Sequence, residues 1–289
     1  MKLIVAPTDF SDNATNSLEY AVETAHHTGA ALLLVHVYRP PVVMQSAVHS
    51  VMTDDLGRST KAAREKLQYI VATIAAEFPD VTVSFEILLG DPVPEILTFS
   101  RDRDVDLIVM GTQGASRVVN VLFGSNTAAI IEKSHCPVLC IPAGLPYKAP
   151  RKILYTTNFS FSDIESARLL TELARSFEAD IVFGHVVVGV EETDEEKAVI
   201  EKFAKEIQLV TGYNRISGVV ISDANVNTGL DALIEKTGVD MIALATRKRS
   251  LFGKIYNPSI TKKFSYYTTI PLLAFHSPKD VDQVGPDFR

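Results

Sequence analysis

Residues 1–38, MKLIVAPTDFSDNATNSLEYAVETAHHTGAALLLVHVY, return as residues 150–187, PRKILYTTNFSFSDIESARLLTELARSFEADIVFGHVV, at a constant shift of 149. Ten of the 38 positions are identical, among them Ile4 with Ile153, Thr8 with Thr157, Phe10-Ser11 with Phe159-Ser160, Ala25 with Ala174 and His36-Val37 with His185-Val186. A second block, 105–141 over 239–275 at a shift of 134, has nine identities in 37. It pairs Val105-Asp106 with Val239-Asp240, Thr112 with Thr246, Ser125 with Ser259 and Pro137 with Pro271. The blocks keep their order, so this is a duplicated domain and not a short-period solenoid. The boundary falls at Gly144-Leu145-Pro146-Tyr147-Lys148-Ala149-Pro150, where two prolines and a glycine interrupt the periodicity. The expected organisation is a first domain over 1–143, a linker over 144–150, a second domain over 151–278 and a tail over 279–289.

Within the first copy, strand-like and helix-like stretches alternate. Leu3–Pro7 is a short apolar run closed by proline. Over Asn13–Thr28 the apolar residues Ala14, Leu18, Ala21, Val22 and Ala25 form a helical stripe, with Ser11 or Asp12 placed to cap it. Ala31–Tyr38 is continuously apolar, as in a strand buried on both faces. A helix near Leu56–Phe78, a strand over Val81–Leu88, a helix over Val93–Arg103, a strand over Leu107–Met110, a helix over Ser125–Ser134 and a strand over Val138–Ile141 complete the copy. This alternation predicts an α/β fold of two tandem, doubly wound parallel sheets with right-handed crossovers. Ligands of such sheets bind at the carboxyl ends of the strands.

Composition narrows the function. The 289 residues carry 28 Lys+Arg against 35 Asp+Glu, a net charge of −7. That balance argues against a chain that coats nucleic acid or an anionic membrane. No apolar run approaches the roughly 18 residues of a membrane helix. The opening MKLIVAPTDF reads as a first strand and not a signal peptide. Cys136 and Cys140 lie four apart in a strand-like run, about 13 Å at the usual rise. They read as buried reduced thiols of a cytoplasmic protein. His26, His27, His49 and His135 show no metal-ligand spacing, so no zinc site is expected.

Three strand ends carry unusual residues: Pro7-Thr8-Asp9, His36-Val37, and Gly111-Thr112-Gln113-Gly114 followed by Gly124-Ser125 at a helix start. Glycines after a strand let the backbone approach a ligand, and free N–H groups at a helix start favour phosphate. Gly111, Gly114, Gly124 and Ser125 thus form a candidate phosphate cradle. It is neither a Walker A loop nor the dinucleotide fingerprint. The same glycines also suit a tight turn, and Asp9 also suits a helix cap. His36 and His185 recur in both copies, which favours a structural role over a catalytic base. The run Glu191, Glu192, Asp194, Glu195, Glu196 reads as a solvated loop and helix start.

The spacing Gly111-x2-Gly114-x9-Gly124-Ser125, with Pro7-Thr8-Asp9-Phe10-Ser11 at the first strand end, resembles the ATP-binding branch of the universal stress protein family. The resemblance covers nearly the whole chain as two copies. It implies five-stranded sheets of order 3-2-1-4-5, of the Rossmann-like, adenine nucleotide α-hydrolase-like type. It implies adenine and ribose near Pro7, Thr8, Asp9 and Val37, and phosphates against Gly111, Gly114, Gly124, Ser125 and Asn126, with Met110 and Gln113 lining the site. Its implied ligand is ATP, or ADP or AMP, with Mg²⁺ carried on the phosphates, in a stress-response regulatory protein.

The second copy departs from the pattern. Asp9 becomes Asn158, Gly111 becomes Ala245, Gly114 becomes Lys248 and Gly124 becomes Pro258, while Ser259 is kept. Side chains stand where backbone would meet phosphate, and proline removes a donor. The expectation is a nucleotide in the first domain only. Arg247, Lys248 and Arg249 read as an exposed basic loop or an anion site. The second domain is suited to imitate the other subunit of a single-domain dimer, pairing Val138–Ile141 with Leu272–Phe275 and so covering two edges. Further homodimerisation and an unidentified protein partner stay open. Arg117 lies between the glycines, yet nothing marks a dedicated base, so at most slow ATP hydrolysis is expected. The alternatives are a nucleotide-independent scaffold and an enzyme cleaving the α–β phosphate bond; the serine-glycine loop of the latter is replaced by Pro7-Thr8-Asp9-Phe10.

Overall fold

The computed structural model describes residues 1–40, 49–114, 123–157, 159, 161–246 and 269–276. The first half runs β1 (Leu3–Pro7), α1 (Asp12–Thr28), β2 (Ala31–Tyr38), α2 (His49–Glu77), β3 (Val83–Leu89), α3 (Pro92–Asp102), β4 (Leu107–Gly111), α4 (Ser125–Lys133) and β5 (Val138–Ile141). The second half follows with β6 (Lys152–Thr156), α5 (Phe161–Ser176), β7 (Asp180–Val188), α6 (Asp194–Thr211), β8 (Ile216–Asp223), α7 (Val226–Thr237), β9 (Met241–Thr246) and β10 (Leu272–His276). Helix α2 begins seven residues before the expected Leu56. The other first-half elements agree with the expected bounds to within two residues.

Local chemistry explains the first helix. Ser11 is its N-cap, in extended conformation, accepting from Ala14 N at 3.2 Å. Gly29 closes it in the left-handed region at φ 68°, its N–H donating to Ala25 O. Asp9 is therefore not the cap; its Oδ1 accepts from Ser11 N at 3.0 Å, one turn earlier.

The strand order is β3-β2-β1-β4-β5-β10-β9-β6-β7-β8. Each half has the order 3-2-1-4-5, with parallel pairing inside it. The two expected five-stranded sheets are joined into one. β10 runs antiparallel to β5, with Leu272 opposite Cys140, Leu273 opposite Leu139 and Ala274 opposite Val138. Two strands that would otherwise be edges thus complete each other's hydrogen bonding. Val138–Ile141 is buried throughout, the two-faced burial that its continuous apolar run requires.

Helices α1, α2, α5 and α6 cover one face and α3, α4 and α7 the other, and both core layers cross the junction. The connecting segment is tied down: Tyr20 OH donates to Pro146 O at 2.8 Å, and Tyr147 meets the Tyr20 ring edge-on at 5.1 Å. Cys136 and Cys140 are free and buried. Burial pushes the Cys136 thiol up to about 11 and raises that of Cys140 further, so neither is a thiolate at neutral pH. No helix among the described residues is long and apolar enough to cross a membrane.

Candidate functional site

Strand order reverses between β1 and β4, and their carboxyl ends open onto a cavity of about 330 Å³. Pro7, Thr8 and Asp9 leave β1, and Val37 ends β2. Met110, Gly111, Gln113 and Gly114 leave β4, and Gly124, Ser125 and Asn126 begin α4; all eleven line this one cavity. Residues separated by more than a hundred positions meet there because β1 and β4 are neighbours.

The cavity wall is chemically mixed. Val35, Val37, Ile96, Met110 and Ile130 make part of it apolar. In another part, α4 begins at Gly124 (φ −61°, ψ 157°) with no side chain capping its first turn. Gly124 N donates to Thr112 O at 2.7 Å, and buried Thr127 Oγ1 donates to Gly111 O at 3.0 Å. These bonds tie the start of α4 to the end of β4 and leave the first-turn residues Ser125 and Asn126 on the cavity wall, where the helix dipole favours an anion.

The three glycines have different causes. A Cβ on Gly111 would lie 2.5 Å from Asn13 Nδ2 and 2.7 Å from Asn13 Cγ, and one on Gly114 would lie 2.9 Å from Asp9 Oδ2. At Gly111 packing against the buried Asn13 calls for glycine, whereas at Gly114 the crowding is with the movable tip of the exposed Asp9 side chain. A Cβ on Gly124 would meet nothing closer than 3.6 Å, and its φ suits any residue. The fold does not need glycine there.

His36 is not in the cavity wall. Its Nδ1 donates to Thr8 O at 2.8 Å, and its ring lies 4.5 Å from that of Phe10. Phe10 is held at φ 61° with its N–H donating to Thr8 Oγ1 at 3.1 Å. The second half repeats the device: His185 Nδ1 donates to Thr157 O at 2.8 Å, and Phe159 has φ 62°. Both histidines brace the turn after a first strand.

Sequence reasoning missed the end of β3, where the Gly90-Asp91-Pro92 turn sends Pro92 and Ile96 to the cavity. Its glycine and proline were the available signal. It also missed Asn13, which is buried and donates through Nδ2 to Gln113 O, clasping the glycine loop to α1; its Oδ1 is buried without a partner. No sequence pattern announced that bond, because the two residues lie a hundred positions apart. Arg117, Asn158, Arg247, Lys248, Arg249, Pro258, Ser259 and the tail 279–289 lie outside the described residues.

The cavity wall holds one carboxylate, Asp9, and among the described residues no three His, Cys, Asp or Glu converge as a metal site. A divalent cation here would be held mainly by a ligand's own oxygens.

A profile of the Universal stress protein family matches residues 1–142. Universal stress protein MJ0531 of Methanocaldococcus jannaschii is 32% identical over 154 residues, covering 52% of this chain and 84% of that protein. A crystal structure of a universal stress protein from Archaeoglobus fulgidus superposes with a TM-score of 0.72 at 19% identity, covering 95% of this chain and 98% of that one, so the fold is shared across both halves. A universal stress protein in complex with cAMP matches half of this chain at 21% identity and a TM-score of 0.38.

Proposed function

The chain belongs to the universal stress protein family, and from that premise we propose that its first half binds an adenine nucleotide, ATP or its ADP and AMP relatives, as a regulatory ligand. The observation that carries this reading is one cavity whose wall combines apolar side chains with strand-end glycines and an uncapped helix start. The adenine lies against the apolar part of the wall, with Asp9 and Thr8 beside the ribose. The phosphates lie against Gly111, Gly114, Gly124, Ser125 and Asn126, where backbone N–H groups replace water. Gly124 supports the same reading, since the fold gives no steric reason for its missing side chain while close approach of phosphate does. Mg²⁺ enters on the phosphates.

In this proposal residues 1–143 are the nucleotide-binding domain, 144–150 the linker and 151–278 a degenerate second domain. At the place of Ala14, which lines the first cavity, the second half has Asp163. Its buried carboxylate accepts from Tyr155 OH at 3.0 Å and from Thr157 Oγ1 at 2.8 Å. Leu154 and Leu233 also converge on Gly184, the counterpart of Val35. The acidic side chain in place of Ala14 and the leucines around Gly184 both oppose a nucleotide.

Calorimetric titration of nucleotide-stripped protein with ATP and Mg²⁺ tests the reading through its stoichiometry. One site per chain is expected. Two sites would overturn the degenerate second domain, and no binding by calorimetry and by a second assay would overturn the nucleotide reading altogether.

A further inference from the structure

On one face of the sheet, α1 and α2 stand apart, and between them lies a groove of about 860 Å³. Phe10, Val22, Ile70, Ile74 and Phe78 give it an apolar floor. The fold does not demand this opening. In the second half α5 packs against α6, whereas α1 and α2 barely touch among the described residues.

The cause is a set of residue exchanges between the halves. Leu32 pairs with Val83, and its repeat counterpart Ile181 pairs with Ile216, so the third strands align at a shift of 133. The preceding helices keep that alignment, since buried Leu67 and Ile74 then match buried Ile200 and Ile207. Phe85 of β3 thus corresponds to Gly218 of β8, and Ile70 to Phe203. Over Gly218 α6 comes down onto the sheet: a Cβ there would lie 2.9 Å from Ile200 Cγ1 and 3.0 Å from Ile200 O. Phe85 instead props α2 outward, with Arg64 lying 5.9 Å over its ring. Phe203 then fills the second-half space, edge-on to Phe159 at 5.7 Å and to Phe183 at 5.1 Å. Half-buried Ile70 is too small to do the same.

Charge separates the halves as well. Glu19 and Glu23 stand on the α1 bank of the groove, Glu65 and Glu77 on the α2 bank. Their counterparts are Arg168, Glu172, Ala198 and Val210. The single lysine of the lining, Lys66, is drawn over the Phe10 ring at 5.1 Å. From Glu65 to Phe78 the α2 bank extends about 20 Å, some three to four helical turns. An apolar floor between two rows of carboxylates is the complement of a helix whose apolar stripe is flanked on both sides by lysine or arginine.

We propose that the groove between α1 and α2 is a docking site for a basic amphipathic helix of a partner protein. Apolar side chains at i, i+4 and i+7 of that helix descend onto Ile70, Ile74 and Phe78. Its flanking cations meet Glu19 and Glu23 on one bank and Glu65 and Glu77 on the other. The inference does not rest on nucleotide binding, because the groove's floor and banks are formed by residues outside the cavity and the two share only Thr8.

Fluorescence anisotropy on the full chain, with a labelled Leu/Lys amphipathic peptide of about five turns as the probe, tests it. The expected result is saturable binding, weakened about tenfold or more when the same residues are scrambled out of helical register. Ile70→Phe, which carries the second half's larger side chain into the groove, lowers affinity about tenfold or more, with folding verified by circular dichroism and a urea melt. The exposed pair Glu19→Gln and Glu77→Gln leaves the fold alone, weakens binding about threefold and flattens its salt dependence. Hydrogen exchange should place protection on α1 and α2. Equal binding of the scrambled peptide, unchanged binding to both variants, protection elsewhere, or no saturation up to about 1 mM peptide would each overturn the proposal. So would a homodimer that Ile70→Phe dissolves, which would make a second copy the occupant.

Discussion

The two halves of this chain share a topology and differ in what they keep. Each holds its first-strand turn with the same Thr, positive-φ Phe and His: Thr8, Phe10 and His36 in one, Thr157, Phe159 and His185 in the other. Each fixes the start of its first strand with an aspartate, Asp106 accepting from Lys2 N and Leu3 N, and Asp240 from Arg151 N and Lys152 N. What the second half has lost is the glycine loop, and what it has gained is bulk, in Tyr155 for Ala6, Phe183 for Leu34 and Phe203 for Ile70. Devices that survive in both halves serve the fold. The cavity and the groove of the first half are open space that costs packing, and they are the candidates for ligand and partner.

Four measurements bear on that division. The largest effect is expected for Gly124→Asp, which the protein has room for but which sets a negative charge beside the proposed phosphates. ATP affinity should fall at least about a hundredfold, near 3 kcal/mol, with the melting temperature moved by no more than about 2 °C. Unchanged affinity by calorimetry would break the assignment of the loop to ligand. Next comes Asp163→Ala, which removes the acceptor of two buried hydroxyls. Stability in urea should drop by about 2–3 kcal/mol with first-half nucleotide binding untouched.

Gly111→Ala installs the second half's own residue, Ala245, against Asn13. Overpacking should cost about 1–3 kcal/mol, and changing Asn13 to the second half's Ser162 in the same chain should recover most of it. Absence of that recovery in urea melts would mean that the glycine answers to something other than Asn13. The smallest effect is expected for His36→Ala and His185→Ala. Each should cost about 1 kcal/mol, and by similar amounts, for one lost hydrogen bond to a carbonyl. A tenfold or greater change in ATP affinity with His36→Ala alone would show that the shared brace has a ligand role in the first half.

Much of this architecture was legible in the residues. Strand positions followed from runs such as Ala31–Tyr38, because burial on both faces leaves no room for polar alternation. The cavity-lining residues were legible because parallel sheets expose the ends of their strands, and those ends carried Pro7-Thr8-Asp9 and Gly111-Thr112-Gln113-Gly114. The Asn13 clasp and the contribution of Pro92 were not, since each depends on which loop lies beside which end. The groove was invisible for the same reason: Phe85 and Gly218 read as ordinary strand residues until a helix is laid over each.

The amino-acid sequence by itself carried the recurring blocks of identity, the α/β alternation, most strand and helix positions and the absence of the Gly111, Gly114 and Gly124 glycines at the matching places of the second half. These are properties of type and period along the chain. Only the tertiary structure decided the antiparallel register by which β5 and β10, whose pairing the family resemblance suggested, make the two sheets one. It also decided that Gly111 answers to Asn13 while a side chain at Gly124 would meet only ordinary contacts, and that α2 stands off where α6 closes. Each of those outcomes is a contact between atoms far apart in sequence, and such distances exist only once the chain has folded.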